Sequence, residues 1–318
     1  MSLRNQAPQN NHRTRIVATM LLFFVYTGTV TAASKQCPKT GAWLQVLGAG
    51  GPEIEDLHAS SAYLIWLDGR ARLLVDIGGS APLRFAESKA QFADLDAVLF
   101  THLHVDHSAG LPALVKSSFL SDRQRDLRVL GPGGNQYLPS TTEFLQRLFS
   151  QKQGVYPYLN EYISPGKGAY TLMPVVVDPG PSKIWRGQSE GAYRLSAIDI
   201  HHGPLPALAW RVDIGANAVV FSGDTSARSE NLAHLARQAD LLVAHNAVPE
   251  GTTGVARKLH MTPSRIGEVA AAGNVGRLVL SHRMRRTFGQ ESTTRAAVRR
   301  TYKGPVEFAE DLSCFRID

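Results

Sequence analysis

The stretch FTHLHVDHSAG, Phe100–Gly110, places three histidines and an aspartate within six residues, directly after an apolar run. A lone histidine is usually structural, but four side chains of metal-binding type this close together are typical of a metal site. Loops that leave the end of a buried strand often carry such sites. We therefore predict a metal-binding loop that can serve two adjacent ions, formed by His102, His104, Asp106 and His107.

Other apolar runs end in side chains of the same kind. His201 and His202 follow SAIDI, and Asp224 stands in VVFSGDTS. His282 ends the run RLVLSH. Imidazole nitrogens and carboxylate oxygens together suit divalent ions of the zinc type. These residues are therefore candidates for the remaining ligands of a two-metal site.

Apolar strand-like runs and helical patterns follow one another twice along the chain. The first series has strand-like runs at 42–51, 61–67, 71–79 and 95–100 and helical patterns at 108–119 and 142–150. The second series has the strand-like runs YRLSAIDI, ALAWRVDI, AVVFSGD, LLVAH and RLVLSH, with helical patterns among them. This order predicts an α/β (α+β) fold with two mixed sheets and helices outside, rather than one parallel sheet.

Residues 120–190 are rich in Gly, Pro, Tyr and Arg and contain one clear helical pattern. We interpret this segment as an insertion or a substrate lid, not as a separate domain. Its aromatic residues could line such a lid, and packing in the protein interior is the alternative; they are Tyr156, Tyr158, Tyr162 and Tyr170.

The N-terminus has the pattern of a secretory signal peptide. Arg13 and Arg15 precede the apolar run Ile16–Val30, and the small residues of TAAS follow it. The run is shorter than the roughly 20 residues that a membrane span needs. We predict that residues 1–33 are removed, which leaves residues 34–318 as an exported domain, periplasmic or secreted, with no stable membrane span. An uncleaved N-terminal anchor is the alternative.

The charge balance is mild. The chain has 34 basic and 27 acidic residues, and the predicted signal peptide holds three of the arginines, so the remaining domain has a net charge of +4. Such an excess fits a small anionic substrate and lacks the basic footprint of a nucleic-acid-binding protein. The two cysteines, Cys37 and Cys314, could form a disulfide in an oxidising compartment, or they could be unrelated thiols.

The segments HLHVDH, SGDT and LSH, in this order and spacing, resemble the metallo-β-lactamase superfamily, most of all its ribonuclease Z/phosphodiesterase-like branch. The resemblance covers nearly all of residues 42–318 and implies a four-layer αββα sandwich. The segment LLVDIGG resembles the first motif of the family, in which Asp76 would support the metal loop.

The resemblance implies two divalent metal ions, zinc or else manganese or iron. The first ion would be held by His102, His104 and His202, the second by Asp106, His107 and His282, and Asp224 would bridge both. His202 is preferred as the ligand because HGPLPALAWRV resembles the family's segment at this point. Its neighbour His201 would then be a supporting residue, as would Thr225, although His201 remains the alternative ligand.

The chemistry implied by the resemblance is hydrolysis by a metal-bound hydroxide, with phosphodiesters as the favoured substrates and Asp106 at the reacting centre. His260, in LHMTPS, resembles the branch's proton donor to the leaving oxygen. Ribonuclease Z pairs that histidine with a glutamate in a segment like HEAT, whereas this chain has HNAV, with His245 and Asn246. Asparagine cannot titrate, so this departure argues against tRNA processing, although Asn246 could still orient His260.

Three arginines follow His282 closely and could bind a substrate phosphate, or they could form a solvated loop; they are Arg283, Arg285 and Arg286. The same ligands would suit hydrolysis of an aryl ester, a lactone, a sulfate ester or a β-lactam, because specificity lies in the pocket walls. An iron-dependent sulfur dioxygenase and a non-catalytic binding protein are further alternatives. The resemblance leaves both a monomer and a homodimer open.

Overall fold

The computed structural model of the protein describes residues 36–187 and 191–317. The predicted signal peptide lies outside these ranges. Within them, fourteen strands form two sheets of seven strands each. The first sheet contains β1 (Ala42–Gly48), β2 (Ala62–Leu67), β3 (Arg70–Ile77), β4 (Ala97–Leu99), β5 (Leu127–Pro132), β6 (Leu172–Val177) and β14 (Cys314–Arg316). The second contains β7 (Ile184–Arg186), β8 (Arg194–Asp199), β9 (Leu208–Ile214), β10 (Asn217–Phe221), β11 (Leu241–His245), β12 (Arg277–Ser281) and β13 (Val306–Phe308).

Each sheet has an antiparallel half and a parallel half. In the order β14-β1-β2-β3-β4-β5-β6, pairing is antiparallel up to β3 and parallel from there. In the order β13-β12-β11-β10-β9-β8-β7, pairing is parallel up to β10 and antiparallel from there. The predicted pair of mixed sheets is therefore confirmed. Because parallel strands end at the same edge, the loops that follow them lie together.

The helices are short. They are α1 (Ala81–Glu87), α2 (Val105–Ser108), α3 (Leu111–Ser117), α4 (Thr141–Phe149), α5 (Asn231–Leu235), α6 (Gly254–Leu259), α7 (Pro263–Ala272) and α8 (Glu291–Val298). The helical pattern at 108–119 corresponds to α3 and the 3-10 helix Ser118–Leu120, because α2 ends at Ser108, Gly110 precedes α3, and Pro112 stands in its first turn. The pattern at 142–150 is α4, which begins at a capping box formed by Ser140 and Glu143.

Three apolar layers hold the molecule together. One lies between the first sheet and the helices α1, α3 and α4, and includes Leu74, Phe85 and Phe149. A second lies between the two sheets, around Trp210. The third lies between the second sheet and the helices α5, α7 and α8, and includes Ile266. The order helices, sheet, sheet, helices confirms the predicted four-layer αββα sandwich.

The interpretation of residues 120–190 as an insertion or lid is wrong for the segment as a whole. β5 and β6 lie within it and continue the parallel half of the first sheet, and β7 forms one edge of the second. Between β5 and β6, α4 and the 3-10 helix Pro157–Ile163 pack Leu145 and Leu159 into the outer apolar layer. The mixed composition of this segment concealed strands that the fold requires.

The aromatic residues of this segment do not form the proposed lid. Tyr162 and Tyr170 are buried in the outer apolar layer of the first sheet, where their rings lie 4.8 Å apart. Tyr156 packs against the same layer. Tyr158 is exposed, and the ammonium group of Lys116 lies over its ring. The alternative interpretation, packing, therefore describes most of them.

A disulfide joins Cys37 to Cys314 on β14, with the two Cα atoms 5.6 Å apart. Because 277 positions separate these cysteines, the bond closes nearly the whole described chain into one loop. Among residues 36–187 and 191–317, none of the helices has the length and apolar character needed to cross a membrane.

Candidate metal centre

The predicted ligands meet at the edge where the parallel strands end. β4 leads directly into the loop that carries His102, and α2 holds Asp106 and His107. From the second sheet, Asp224 follows β10 and His282 follows β12. His202 follows β8 on the same side. The site therefore lies between the two sheets, with ligands from both.

The first predicted group is brought together completely. One ligand atom from each of its members lies within 4.8 Å of all the others; the members are His102, His104, His202 and Asp224. Asp224 Oδ2 lies 4.0 Å from His102 Nε2 and 3.8 Å from His202 Nε2. Three imidazoles and one carboxylate at such distances match the ligand set of a zinc site.

The second group differs from the prediction by one residue. The side chains within 4.8 Å of one another are His107, Asp224, His245 and His282. Asp106 borders this group, with Oδ2 3.2 Å from His282 Nε2 and 3.5 Å from His107 Nε2. Asp224 belongs to both groups, as the prediction of a bridging carboxylate requires.

His245 is the site residue that sequence reasoning missed. It is the last residue of β11, which lies between β10 and β12 in the second sheet. The strands on either side lead to Asp224 and His282. The sequence signal for it is LLVAH, an apolar run that ends in a histidine just as RLVLSH does.

Buried nitrogen atoms without hydrogen-bond partners indicate a site that can bind cations. The Nε2 atoms of His102, His107 and His202 are buried and have no hydrogen-bond partner in the described chain. An unpaired buried polar atom costs about 1–3 kcal/mol, and three that point at one carboxylate are unusual. The side chains present therefore fit divalent metal ions.

Hydrogen bonds behind the imidazoles hold them in this orientation. Asp76 is fully buried, and its Oδ2 lies 2.8 Å from His107 Nδ1 and 2.7 Å from Thr101 Oγ1, which donates to it. Thr101 Oγ1 in turn lies 3.1 Å from His102 Nδ1. Carboxylates that orient metal-binding histidines in this way are common outer partners of metal sites. Asp76 thus lies where the predicted supporting role requires.

The two adjacent histidines have different environments. His202 Nδ1 lies 3.1 Å from the carbonyl oxygen of Leu259, which directs Nε2 towards Asp224. His201 Nδ1 instead lies 3.1 Å from Ser226 Oγ. Thr225 Oγ1 donates to the carbonyl oxygen of His201 at 3.2 Å. The structure therefore brings His202 into the cluster, while His201 and Thr225 stabilise the turn after Asp224.

The charges of the buried side chains at the site favour binding of a cation. Burial alone would raise the pKa of Asp224, but His282, the hydrogen bond from His245 and His107 lower it well below the ordinary value. Burial would lower the pKa of His107, yet Asp76 and Asp106 raise it to about 10. Three buried carboxylates thus concentrate negative charge at the histidines, which a divalent cation would neutralise.

His260 faces the same space. It is 9% exposed, its Nδ1 has no hydrogen-bond partner, and this atom lies 3.8 Å from Asp224 Oδ2. Burial is the main reason that its pKa is lowered to about 4. Asn246 does not orient it, because the Asn246 amide donates to the carbonyl oxygen of Val248 at 3.2 Å.

The arginines after His282 separate into two kinds. Arg283 is 2% exposed and pairs with Glu291, and its guanidinium lies 4.3 Å from the ring centroid of Phe288. It is therefore structural, and the prediction that it binds substrate is wrong. Arg285 and Arg286 are exposed, and the charge of Arg286 contributes to the lowered pKa of His260.

The protein is an αββα sandwich: two mixed sheets pack face to face, and helices cover their outer sides. A buried cluster of histidine and aspartate side chains at one edge is a candidate metal centre. The chain belongs to the beta-lactamase superfamily, whose domain profile matches residues 71–283. The matched range contains the metal loop, Asp224 and His282. The resemblance noted in the sequence is thereby confirmed.

Similar proteins of known name align with most of this chain over nearly their own full length. The ribonuclease Z of Mycolicibacterium paratuberculosis is 26% identical over an alignment of 287 positions, and the alignment covers 86% of this chain and 97% of that protein. The short form of human tRNase Z has a TM-score of 0.67 at 19% identity, covering 87% of this chain and 99% of that one. Yeast PDE1 has a TM-score of 0.64 at 12% identity, covering 87% and 100%. At these identities the two solved structures show a likeness of fold alone.

Proposed function

We propose that the protein is a hydrolase of phosphodiester bonds that uses two divalent metal ions. The observation that carries this proposal is the position of Asp224, whose carboxylate belongs to both ligand groups and can therefore bridge two ions. Zinc suits the donor set best, with manganese and iron as alternatives. When bound, two such ions lower the pKa of a water molecule towards about 7 and stabilise negative charge on the substrate.

The proposal assigns a role in metal binding, proton transfer or phosphate binding to each of the following side chains. The first ion would be held by His102, His104, His202 and Asp224, and the second by Asp106, His107, His282 and Asp224. His260 would hold a proton for the leaving oxygen, since its imidazole is buried, unpartnered and directed at the same space. Arg286 is exposed, its charge acts on His260, and it would contact the phosphate.

The choice of a phosphodiester rests on the relatives. A ribonuclease cleaves phosphodiester bonds, and the chain covers 97% of the length of the first such relative. A small anionic diester is favoured over RNA by the net charge of +4 outside the predicted signal peptide and by Asn246. An RNA substrate is the second candidate, because the relatives bear the name ribonuclease Z.

A paired rate assay tests the proposal. Purified protein loaded with zinc or manganese is compared on bis(4-nitrophenyl) phosphate and 4-nitrophenyl acetate, with Asp224→Ala as the blank. We expect metal-dependent cleavage of the diester that is lost in the variant. Cleavage of the acetate alone would instead support an aryl-ester or lactone hydrolase, and thiol-dependent oxygen uptake by an iron-loaded protein would support a dioxygenase. A precursor tRNA with a 3′ trailer distinguishes the RNA candidate.

We further propose that the protein is exported. The charged and apolar N-terminal pattern supports this, as does the disulfide between Cys37 and Cys314, because disulfides persist in oxidising compartments. N-terminal sequencing of the protein recovered outside the cytoplasm should begin near residue 34. An intact residue 1 on a membrane-bound protein would indicate an anchor instead.

A further inference from the structure

Beneath the candidate metal centre, a chain of hydrogen bonds crosses from one sheet to the other. Asp224 Oδ1 lies 2.8 Å from His245 Nδ1, and His245 Nε2 lies 3.1 Å from the hydroxyl oxygen of Tyr63. The same hydroxyl lies 2.9 Å from Ser281 Oγ. Tyr63 stands on β2 of the first sheet, whereas the other three residues belong to the second sheet or follow its strands. All four are at most 3% exposed, so bulk water does not compete for these bonds.

The direction of the first bond follows from its chemistry. A carboxylate can only accept a hydrogen bond, so His245 Nδ1 must carry the hydrogen in its bond to Asp224. This holds whether the imidazole is neutral or charged, because Nδ1 is protonated in both forms that can make the bond. The Tyr63 hydroxyl donates to Ser281 Oγ, and its oxygen lies within hydrogen-bond distance of His245 Nε2.

The hydrogen bond from His245 gives the two carboxylate oxygens of Asp224 different surroundings. Oδ1 receives the hydrogen bond, whereas Oδ2 lies 3.8 Å from His107 Nε2 and 3.8 Å from His202 Nε2. Rotation of the carboxylate about its own axis would exchange these environments. His282 Nε2 lies 3.3 Å from the same Oδ1, but the proposed metal centre assigns His282 to the second ion. His245 is therefore the donor that holds Oδ2 in its place between the two ligand groups when the ions are bound.

The network is built into the frame of the fold. His245 pairs with Ser281 in the parallel register of β11 and β12, so their side chains leave neighbouring strands at the same level. The Tyr63 ring packs against Phe221 of β10, with centroids 5.4 Å apart. Strand register and packing therefore set the position of each member before any ion binds.

We propose that His245 and Tyr63 are positioning residues that lock the Asp224 carboxylate in its bridging orientation, and that His245 is not a metal ligand. Both imidazole nitrogens of His245 already have partners, Asp224 and Tyr63, so a bond to an ion would break one of these hydrogen bonds. In contrast, the Nε2 atoms of His102, His107 and His202 have none. This inference rests on the proposed metal centre.

Two substitutions of His245 distinguish the effect of losing the hydrogen-bond donor from the effect of losing the imidazole ring. His245→Asn retains an amide N–H close to the position of Nδ1 and can still donate to Asp224, whereas His245→Leu has a similar size and no donor. We expect His245→Leu to bind zinc about 10–100-fold more weakly than the wild type, the usual effect of removing an outer partner. His245→Asn should bind zinc nearly as tightly as the wild type, because it keeps the donor to Asp224. Tyr63→Phe, which removes only the hydroxyl, should weaken zinc binding in the same direction by a smaller factor.

Zinc affinity by chelator competition and zinc content per chain are the two readouts. Val243→Ala is the matched control: Val243 faces the same apolar layer from the same strand but lies outside the network, so it should lower the melting temperature and leave zinc affinity unchanged. Melting of the metal-free proteins shows whether each variant folds.

Two results would overturn the inference. If folded His245→Leu and Tyr63→Phe bind zinc as the wild type does, the network has no positioning role. If His245→Asn and His245→Leu both bind one ion fewer per chain, His245 is a ligand. If the wild type itself binds no zinc, the proposed function fails rather than this inference.

Discussion

At the scale of single residues, the adjacent histidines His201 and His202 make different contacts because the backbone directs their side chains to different partners. His202 reaches Asp224 because its other nitrogen is held by the carbonyl oxygen of Leu259, while His201 turns to Ser226. A sequence pattern cannot resolve such a pair by chemistry alone, since both are histidines after the same strand. The family resemblance resolved it in favour of His202.

Alanine at each of these two positions should therefore have different effects. We expect His202→Ala to lose at least one bound zinc ion per chain, because it removes a ligand of the first group. His201→Ala should retain the zinc content of the wild type and lose only a contact at the turn. Metal analysis of both purified variants measures this, and the reverse pattern would make His201 the ligand.

Arg283 follows neither of the two alternatives that the sequence offers for it, binding of a substrate phosphate or a place in a solvated loop. Its guanidinium instead lies between the rings of Phe288 and Phe308 and pairs with Glu291. We expect Arg283→Ala to lower the free energy of unfolding by about 2 kcal/mol. Arg285→Ala, at an exposed neighbour, is the control and should leave denaturant unfolding unchanged. Equal effects of the two substitutions would contradict this role.

At the scale of elements, the metal loop depends on a close approach of backbone segments after β3. A Cβ atom at Gly78 would lie 2.4 Å from the carbonyl oxygen of Asp106, whereas one at Gly79 would meet nothing within 4 Å. We expect Gly78→Ala to displace the loop, lower stability by about 1–3 kcal/mol and weaken zinc binding. Gly79→Ala should match the wild type in both respects. Calorimetric unfolding and chelator competition check the pair, and equal behaviour of the two variants would contradict the steric argument.

The sequence predicts most of the elements and ligands because their signals are local. Ligand types at the ends of apolar runs marked His102, Asp224 and His282 without any knowledge of the fold. His245 was missed because its significance depends on β11 lying between β10 and β12, which is a fact of sheet order. The strands within residues 120–190 were missed for a similar reason: β5 and β6 are recognised by their partners in the sheet rather than by their composition.

At the scale of the whole molecule, the disulfide joins the beginning of the described chain to the last strand of the first sheet. A bond that closes so long a loop restricts the unfolded chain, which is typically worth about 2–4 kcal/mol. We expect Cys37→Ser with Cys314→Ser to melt several degrees below the wild type. Reductant should lower the melting temperature of the wild type and leave the double variant unchanged. An equal effect of reductant on both proteins would show that the bond does not stabilise the fold.

The central claim is that two sheets bring seven ligands together around two metal ions, with Asp224 between them. The most direct measurement is the zinc content of purified protein after loading with excess zinc and removal of free ions, for the wild type and Asp224→Ala. The account predicts two ions per wild-type chain and fewer than two in the variant. One ion or none in the wild type, or two ions in Asp224→Ala, would contradict it.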